Sequence, residues 1–267
     1  MGYAPLALLA LRLLPLPADA PLPEGNRLVQ GLLAKQRIRE DTLNDYAYDI
    51  LELREEIDGR GRVVERKSRR YEVFHVKGRP VRRLTEEDGR ALSLEKQAKE
   101  NGRVDKLVLA ILADRVATER PGVRLSAILE RYDFRTVTRE SVDGRPALVL
   151  EFAPLPGTRR LDGDNVLRKL EGRLWVDEEE SELVRIHLRN TSGIRFALGL
   201  GASVSGLSVQ MEFRKVDGTL WFPHRVEFDV EGRKLLLKGF HRRATATYGP
   251  FRRFQVESEE TLRPPVP

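Results

Sequence analysis

Apolar and polar residues alternate through most of residues 170–257, and this pattern predicts strands. In the run Val184–Arg189, every second residue is Val, Ile or Leu, and the residues between them are Arg or His. A period of two is typical of an antiparallel strand with one buried face. The alternation recurs at Val209–Phe213 and at Val226–Val230. The second half of the chain is therefore predicted to form a sheet with one apolar face.

Turn signals separate these runs and also occur in the first half of the chain. Each is a glycine that follows an acidic residue, and such a glycine supplies the positive φ that a tight hairpin requires. The pairs are Asp58-Gly59, Asp88-Gly89, Asp143-Gly144, Asp162-Gly163, Asp217-Gly218 and Glu231-Gly232. A long antiparallel meander follows from this spacing.

Two segments change to a helical period, Gly25–Thr42 and part of Ser93–Tyr132. In the second, apolar residues recur at intervals of three and four, as on one side of a helix. They are Val104, Leu107, Val108, Ile111, Leu112 and Val116. We expect this helix to lie over the apolar face of the sheet, because both surfaces need cover.

Further strands are predicted at Tyr46–Ile57, Arg62–Val76, Val81–Leu84, Phe134–Val142 and Pro146–Phe152. The predicted fold class is α+β, with a large curved antiparallel sheet that is incomplete, like half a barrel. Helices are expected to cover its concave face. With no linker or internal repeat between the halves, residues 21–267 are predicted to form one domain.

The N-terminus resembles a signal peptide. Leu6–Leu16 has about the length of its apolar core, and Ala18-Asp19-Ala20 offers the small residues of a cleavage site. The run is shorter than the ~20 residues needed to span a bilayer. We expect residues 1–20 to be removed on export, which would make the protein periplasmic.

Charge and cysteine content exclude several classes of protein. The 47 basic and 41 acidic residues are mixed along the sequence, although Arg and Lys form short clusters. No nucleic-acid motif accompanies these clusters, so the preferred interpretation is a solvated sheet face, with anionic lipid headgroups as the alternative. The absence of cysteine excludes disulfides, thiolate metal sites and a lipid-modified N-terminal cysteine.

Catalytic motifs are missing as well. The spacing Gly201 to Gly206 resembles a phosphate-binding loop, but Leu207 stands where its lysine is needed. No Gly-x-Ser-x-Gly elbow is present, and the acidic run Asp177–Glu180 is interpreted as a solvated turn. The histidines, which form no HExxH pair, are His75, His187, His224 and His241. We therefore predict no catalytic residue, no metal site and no cofactor.

Aromatic residues are concentrated in the sheet half, where they either fill a core or line a lipid-holding cavity. They are Trp175, Phe196, Phe213, Trp221, Phe222, Phe228 and Phe240. The residues chosen as candidate walls of an apolar cavity are Leu107, Ile111, Trp175, Ile186, Met211, Phe213 and Phe228.

Four segments carry a resemblance to a known family: Glu171–Asp177, Leu183–Arg189, Asp217–Pro223 and Tyr248–Val256. Together they resemble the C-terminal part of bacterial outer-membrane lipoprotein-sorting-like proteins of the LolA/LolB-like superfamily. The resemblance implies a curved, incomplete barrel that binds acyl chains in an apolar cavity under helices.

The function that follows from this resemblance is that of a non-catalytic, monomeric periplasmic carrier of lipid or lipoprotein acyl chains. It would work with an inner- or outer-membrane partner protein and without nucleic acid. One alternative is an envelope sensor or scaffold that binds a partner protein with the same fold. Another is a hydrolase of envelope material, with catalytic residues in loops such as Pro154–Asp164.

Overall fold

The computed structural model of the protein describes residues 20–115, 124–155, 164–196, 202–234 and 238–254. The predicted signal peptide, apart from Ala20, lies outside the described residues. The helices are α1 (Gly25–Thr42), α2 (Leu94–Leu112), α3 (Leu125–Leu129) and α4 (Asp164–Leu167), and a 3-10 turn spans Leu43–Asp45. Among the described residues, none of the helices combines the length and apolar content needed to cross a membrane.

Twelve strands occupy most of the described chain. They are β1 (Tyr46–Ile57), β2 (Val63–Val76), β3 (Arg79–Glu87), β4 (Arg90–Ala91), β5 (Tyr132–Val142), β6 (Arg145–Pro154), β7 (Leu170–Asp177), β8 (Leu183–Asn190), β9 (Ile194–Phe196), β10 (Ala202–Val216), β11 (Leu220–Lys234) and β12 (Lys238–Arg253).

All strands belong to one open antiparallel sheet, in the order β4-β3-β2-β1-β12-β11-β10-β8-β7-β6-β5, with β9 beside the start of β10. The pairing of β1 with β12 joins the two ends of the described chain. Register shifts interrupt several pairs, for example between Glu212 and Phe213, and such bulges bend a strand and increase its twist. The α+β open-sheet class predicted from the sequence is confirmed.

The two faces of the sheet differ in character. Directly paired residues lie on the same face, so the register places Leu150, Leu174, Ile186, Met211 and Val226 together on what we call the inner face. Their neighbours along each strand are mainly charged and form the outer face. The predicted apolar face is thus the inner face of β5 to β8, β10 and β11, and the same face carries charged residues on β1 and β12.

Helix α1 covers the inner face over β5 to β8. Glu24 caps its first turn by accepting hydrogen bonds from the backbone N–H groups of Asn26 and Arg27, at 3.0 and 2.7 Å. Val29 and Leu32 are buried against the strands in the main core, which also contains Leu129 of α3. This helix therefore provides the cover that the apolar strands require.

Helix α2 lies elsewhere, on the outer face of β2 and β3. Its buried residues Val104 and Ile111 pack with Val81 and the half-buried Phe74. Phe74 follows the inward Val73 on β2 and therefore points to the outer face. Val81 of β3 pairs with Phe74 and lies on the same face. The expectation that this helix lies over the long apolar face is therefore wrong. Its apolar residues are buried instead against a local apolar patch on the outer face.

Candidate ligand-binding groove

A groove lies on the inner face where α1 does not cover it, over β1, β12 and β11. Cross-strand register arranges the inner-face residues in and beside the groove in rows that run from β10 to β1. The rows are Met211, Val226, Ala246 and Glu52; Val209, Phe228, Ala244 and Arg54; and Leu207, Val230, Arg242 and Glu56. Each row begins apolar and ends charged, so the groove is amphipathic across the strands.

The apolar side of the groove is built around Phe228. Its side chain remains 40% exposed, although it lies between the buried residues Val209 and Val226 of the same face. Ala244, its partner on β12, has only a methyl group and leaves space above the strand. The resulting groove has a volume of about 490 Å³. An exposed aromatic ring beside small residues is a surface on which an apolar ligand can gain contact.

The charged side is held by ion pairs within β1 and between β1 and two other strands. Glu52 contacts Arg54 at 2.8 Å and also Arg82 of β3. Burial acts to raise the pKa of Glu52, but hydrogen bonds and charges from Arg82 and Arg54 hold this pKa below its usual value. Arg242 pairs with Glu56 at 2.8 Å. Glu52 therefore stays ionised, and Glu52 and Glu56 both already have cationic partners.

An aromatic cluster closes one end of the groove. Tyr48, Ile50 and Val73 are buried together, with Tyr248 and Phe251 packed against them. Burial raises the pKa of Tyr48 to about 12. This cluster occupies the inner face one row beyond Glu52, so the groove can extend only in the opposite direction along the strands.

The structure separates the seven predicted wall residues. Phe228 lines the groove, while Met211 and Ile186 lie in the neighbouring row of the same face, with Ile186 fully buried in the main core. Phe213 is also buried in that core. The remaining three lie on the outer face.

Trp175 is the outer-face member on β7. It pairs with Arg185, whereas its neighbour Leu174 pairs with the inward Ile186. Its indole N–H donates a hydrogen bond to Glu140 at 2.8 Å. Leu107 and Ile111 of α2 complete the set, packed near Val81.

Sequence reasoning missed the residues that make the groove open. On β12, the inner-face positions are Arg242, Ala244 and Ala246, and the residues between them are polar. The two alanines are small residues at positions where a longer apolar side chain would fill the groove. On β1, the charged residues Glu52, Arg54 and Glu56 likewise occupy every second position, on the inner face. The alternation was visible, but the neighbours of these strands were not.

A concavity larger than the groove lies on the outer face, with a volume of about 690 Å³. Its charges are paired across the strands, since Glu151 accepts hydrogen bonds from Arg173 at 2.9 Å and Arg135 at 2.8 Å. These hydrogen bonds lower the pKa of Glu151. Arg189 binds Glu171 in the same way. Such a ladder stabilises a solvated sheet face.

One group of side chains has the composition of a metal site, on the outer face of β11 and β12. Ligand atoms of Asp229, Glu231 and His241 lie within 4.8 Å of one another. His241 Nε2 contacts Asp229 Oδ1 at 2.8 Å, while Arg243 Nε approaches Oδ2 of the same carboxylate at 3.4 Å. Because a guanidinium already neutralises Asp229, we assign no metal to this group. The loop Pro154–Asp164, considered for a hydrolase, lies mostly outside the described residues.

Comparison with known proteins gives no match to a family model and none to a curated protein. Among solved structures, the chain is similar to a putative outer membrane lipoprotein-sorting protein domain from Vibrio parahaemolyticus, at 12% identity over 88% of this chain and 94% of that one, with a TM-score of 0.42. It is also similar to a LolA superfamily protein from Nitrosomonas europaea, at 12% identity over 85% and 94% of the two chains, with a TM-score of 0.39.

A third similar structure is a DUF1329 family protein from Desulfovibrio piger, at 13% identity over 84% of this chain and 92% of that chain, with a TM-score of 0.38. The names of the first two structures match the family that the sequence resembles. At these identities and scores, the likeness by itself says nothing about what the groove binds.

Proposed function

We propose that the protein is a non-catalytic periplasmic carrier that binds lipid or lipoprotein acyl chains in the groove. The observation that carries this proposal is the exposed ring of Phe228 beside Ala244, at the boundary between the apolar and charged sides of the groove. An alkyl chain laid along Val209, Phe228 and Val230 would bury both its own surface and the ring. Its polar end would meet the charged residues of β1 and β12.

Affinity in such a groove comes from removing apolar surface from water. Each buried CH₂ contributes about 0.8 kcal/mol, which corresponds to about a fourfold change in Kd. Binding should therefore strengthen stepwise with acyl length until the chain exceeds the groove. Export with cleavage near Ala20, action as a monomer and cooperation with an envelope partner protein belong to the same proposal.

The test uses delipidated protein and fluorescent fatty-acyl probes of increasing length. Ala244→Phe places a ring in the groove and should weaken probe binding at least about tenfold, because the ligand loses buried area. Thr247→Phe is the matched control. It lies on the same strand but pairs with Arg225 on the outer face, so it should leave binding unchanged. Melting temperatures of both variants show that they remain folded.

Two results would contradict the carrier function: no saturable binding of any probe, or equal loss in both variants. Identification of an acyl lipid by native mass spectrometry of the protein from its own envelope would support it independently.

A scaffold function is favoured by a different surface. The solvent side of α2 carries the exposed leucines Leu94, Leu109 and Leu112. Exposed apolar side chains on one helix are a common feature of protein contact sites. If the groove binds no probe, a partner protein on this helix becomes the better proposal.

A further inference from the structure

Four cations meet at one end of the sheet, where β9, β10, β11 and β12 lie side by side. Arg195 of β9 and Arg233 of β11 both pair with Ser203 of β10 and therefore lie on the same face, two strand spacings apart, or about 10 Å. Lys234 pairs with Lys238 at the last position of β11 and β12, on the opposite face from Arg195 and Arg233. We call these four residues the cationic end.

The cationic end differs from the rest of the sheet in its charge balance. Along the strands, most arginines bind a carboxylate, as Arg242 binds Glu56 and Arg243 approaches Asp229. The four residues of the cationic end are all exposed, and none of them forms an ion pair within the described part of the chain. Glu231, the nearest acidic residue in the register, contacts His241. This end of the sheet therefore has a local excess of positive charge.

An aromatic side chain accompanies the cations. Phe240 packs on Gly232, where an added Cβ would lie 2.8 Å from the ring, so only glycine fits. Lys234 Nζ and the Arg242 guanidinium carbon lie 5.7 and 5.9 Å from the centre of this ring. An aromatic ring thus lies beside the cations at this end of the sheet.

We propose that the cationic end docks the protein on an anionic phospholipid surface. Lys and Arg near such a surface are attracted to its headgroups, and an aromatic ring beside them, here Phe240, favours the level of the headgroups. The cations are spread over three strands, β9, β11 and β12, rather than gathered at one point. A membrane surface, which is extended and carries many negative charges, fits this arrangement.

Docking in this way would bring the groove close to the bilayer. Val230, on the apolar side of the last row, precedes Lys234 by four residues on β11, or about 13 Å along the strand. The aromatic cluster around Tyr48 closes the opposite end of the groove. The open end of the groove would therefore face the membrane, which gives an acyl chain a short path between the two.

The experiment measures co-sedimentation of the full chain with vesicles. One set contains phosphatidylcholine alone, and the other contains phosphatidylcholine with phosphatidylglycerol. The test variant replaces the cationic end, as R195Q/R233Q/K234Q/K238Q. A control with the same change in net charge replaces four exposed cations for which the structure likewise shows no ion pair, as R60Q/R90Q/K99Q/K106Q.

The wild type should bind only the anionic vesicles, and high salt should weaken binding because it screens the charges. Each cation contributes about fivefold, so the test variant should bind at least about a hundredfold more weakly while the control binds like the wild type. Equal losses in both variants, or binding that ignores lipid charge, would overturn the proposal. So would unchanged binding of the test variant, or no binding of the wild type.

This proposal is independent of the carrier function. Both quadruple variants keep Phe228 and Ala244, so both should bind acyl probes with wild-type affinity. Loss of vesicle binding with intact probe binding would separate the two surfaces, and loss of probe binding alone would affect only the carrier proposal.

Discussion

Arg145 of β6 and Asp177 at the end of β7 form an ion pair in which Nε lies 2.6 Å from Oδ2 and the carboxylate side chain is fully buried. Asp177 also accepts hydrogen bonds from the backbone N–H groups of Glu179 and Glu180, at 3.1 and 2.8 Å. Glu180 in turn accepts a hydrogen bond from the Trp221 indole at 2.9 Å. The acidic turn between β7 and β8, interpreted from sequence as a solvated loop, therefore joins strands that are distant in sequence.

Replacing Asp177 with Asn should lower the free energy of unfolding by about 2–3 kcal/mol, because charge-assisted hydrogen bonds are lost at a buried position. Urea denaturation measures the change. Glu179→Gln is the control, since this side chain is 67% exposed and contacts Arg145 only at 3.3 Å. It should change stability by less than about 0.5 kcal/mol. Equal effects in the two variants would contradict a structural role for Asp177.

A second buried ion pair links α1 to the start of β8. Arg39 is almost completely buried and contacts Glu182. Burial lowers the pKa of Arg39 to about 10, although the nearby Glu40 acts to raise it. Burying a guanidinium is costly unless a carboxylate accompanies it.

Glu182→Gln should therefore destabilise the protein by about 3 kcal/mol, because it leaves Arg39 charged and buried without its carboxylate. The comparison is Glu130→Gln, which breaks the exposed pair between Glu130 and Arg37 and should cost at most about 1 kcal/mol. Chemical denaturation of both variants distinguishes them. A smaller effect for Glu182→Gln than for Glu130→Gln would show that α1 is held by its apolar contacts alone.

The sequence predicted the strands of the second half well because their information is local. Val184, Ile186 and Leu188 alternate with Arg and His, and a half-buried strand needs no distant partner to show that pattern. Trp175 was placed in the cavity by its residue type, although its phase on β7 opposes that of Leu174 and points it outward. The alternation along β7 therefore predicts the correct face for Trp175.

Other features depend on contacts between residues far apart in the chain. Ala244 forms the floor of the groove because β12 pairs with β1, whose partner residue Arg54 lies in the first half of the sequence. The face chosen by α2 depends on the local patch of Phe74 and Val81. Neither the pairing nor the choice of face can be inferred from periodicity, which describes one element at a time.

The position of α2 leads to a stability prediction. Ile111 is 3% exposed and packs with Val81 and Val104, whereas Leu109 on the same helix is 65% exposed. Ile111→Asp buries an unpaired charge and should cost about 3–5 kcal/mol. Leu109→Asp, an exposed change in the last turn of α2, should cost at most about 1 kcal/mol, from helix propensity and the helix dipole. Thermal and urea unfolding give both values, and equal stability of the two variants would mean that the helix packs through another side.

His75 on β2 gives the protein a pH-dependent stability. Burial lowers the pKa of His75 below its usual value, and only partial compensation comes from its hydrogen bond to the Tyr46 carbonyl. Between the folded pKa and the unfolded pKa of about 6.5, the unfolded state binds more protons at this group. The contribution of His75 to stability is therefore present above pH 6.5 and is lost as the pH falls through that window. His75→Gln, which cannot titrate, should reduce the loss of stability between pH 7 and pH 5 measured by urea denaturation. If the free energy of unfolding of this variant falls with pH as steeply as that of the wild type, the acid sensitivity belongs to other groups. Among these, His224 also has a pKa lowered by burial.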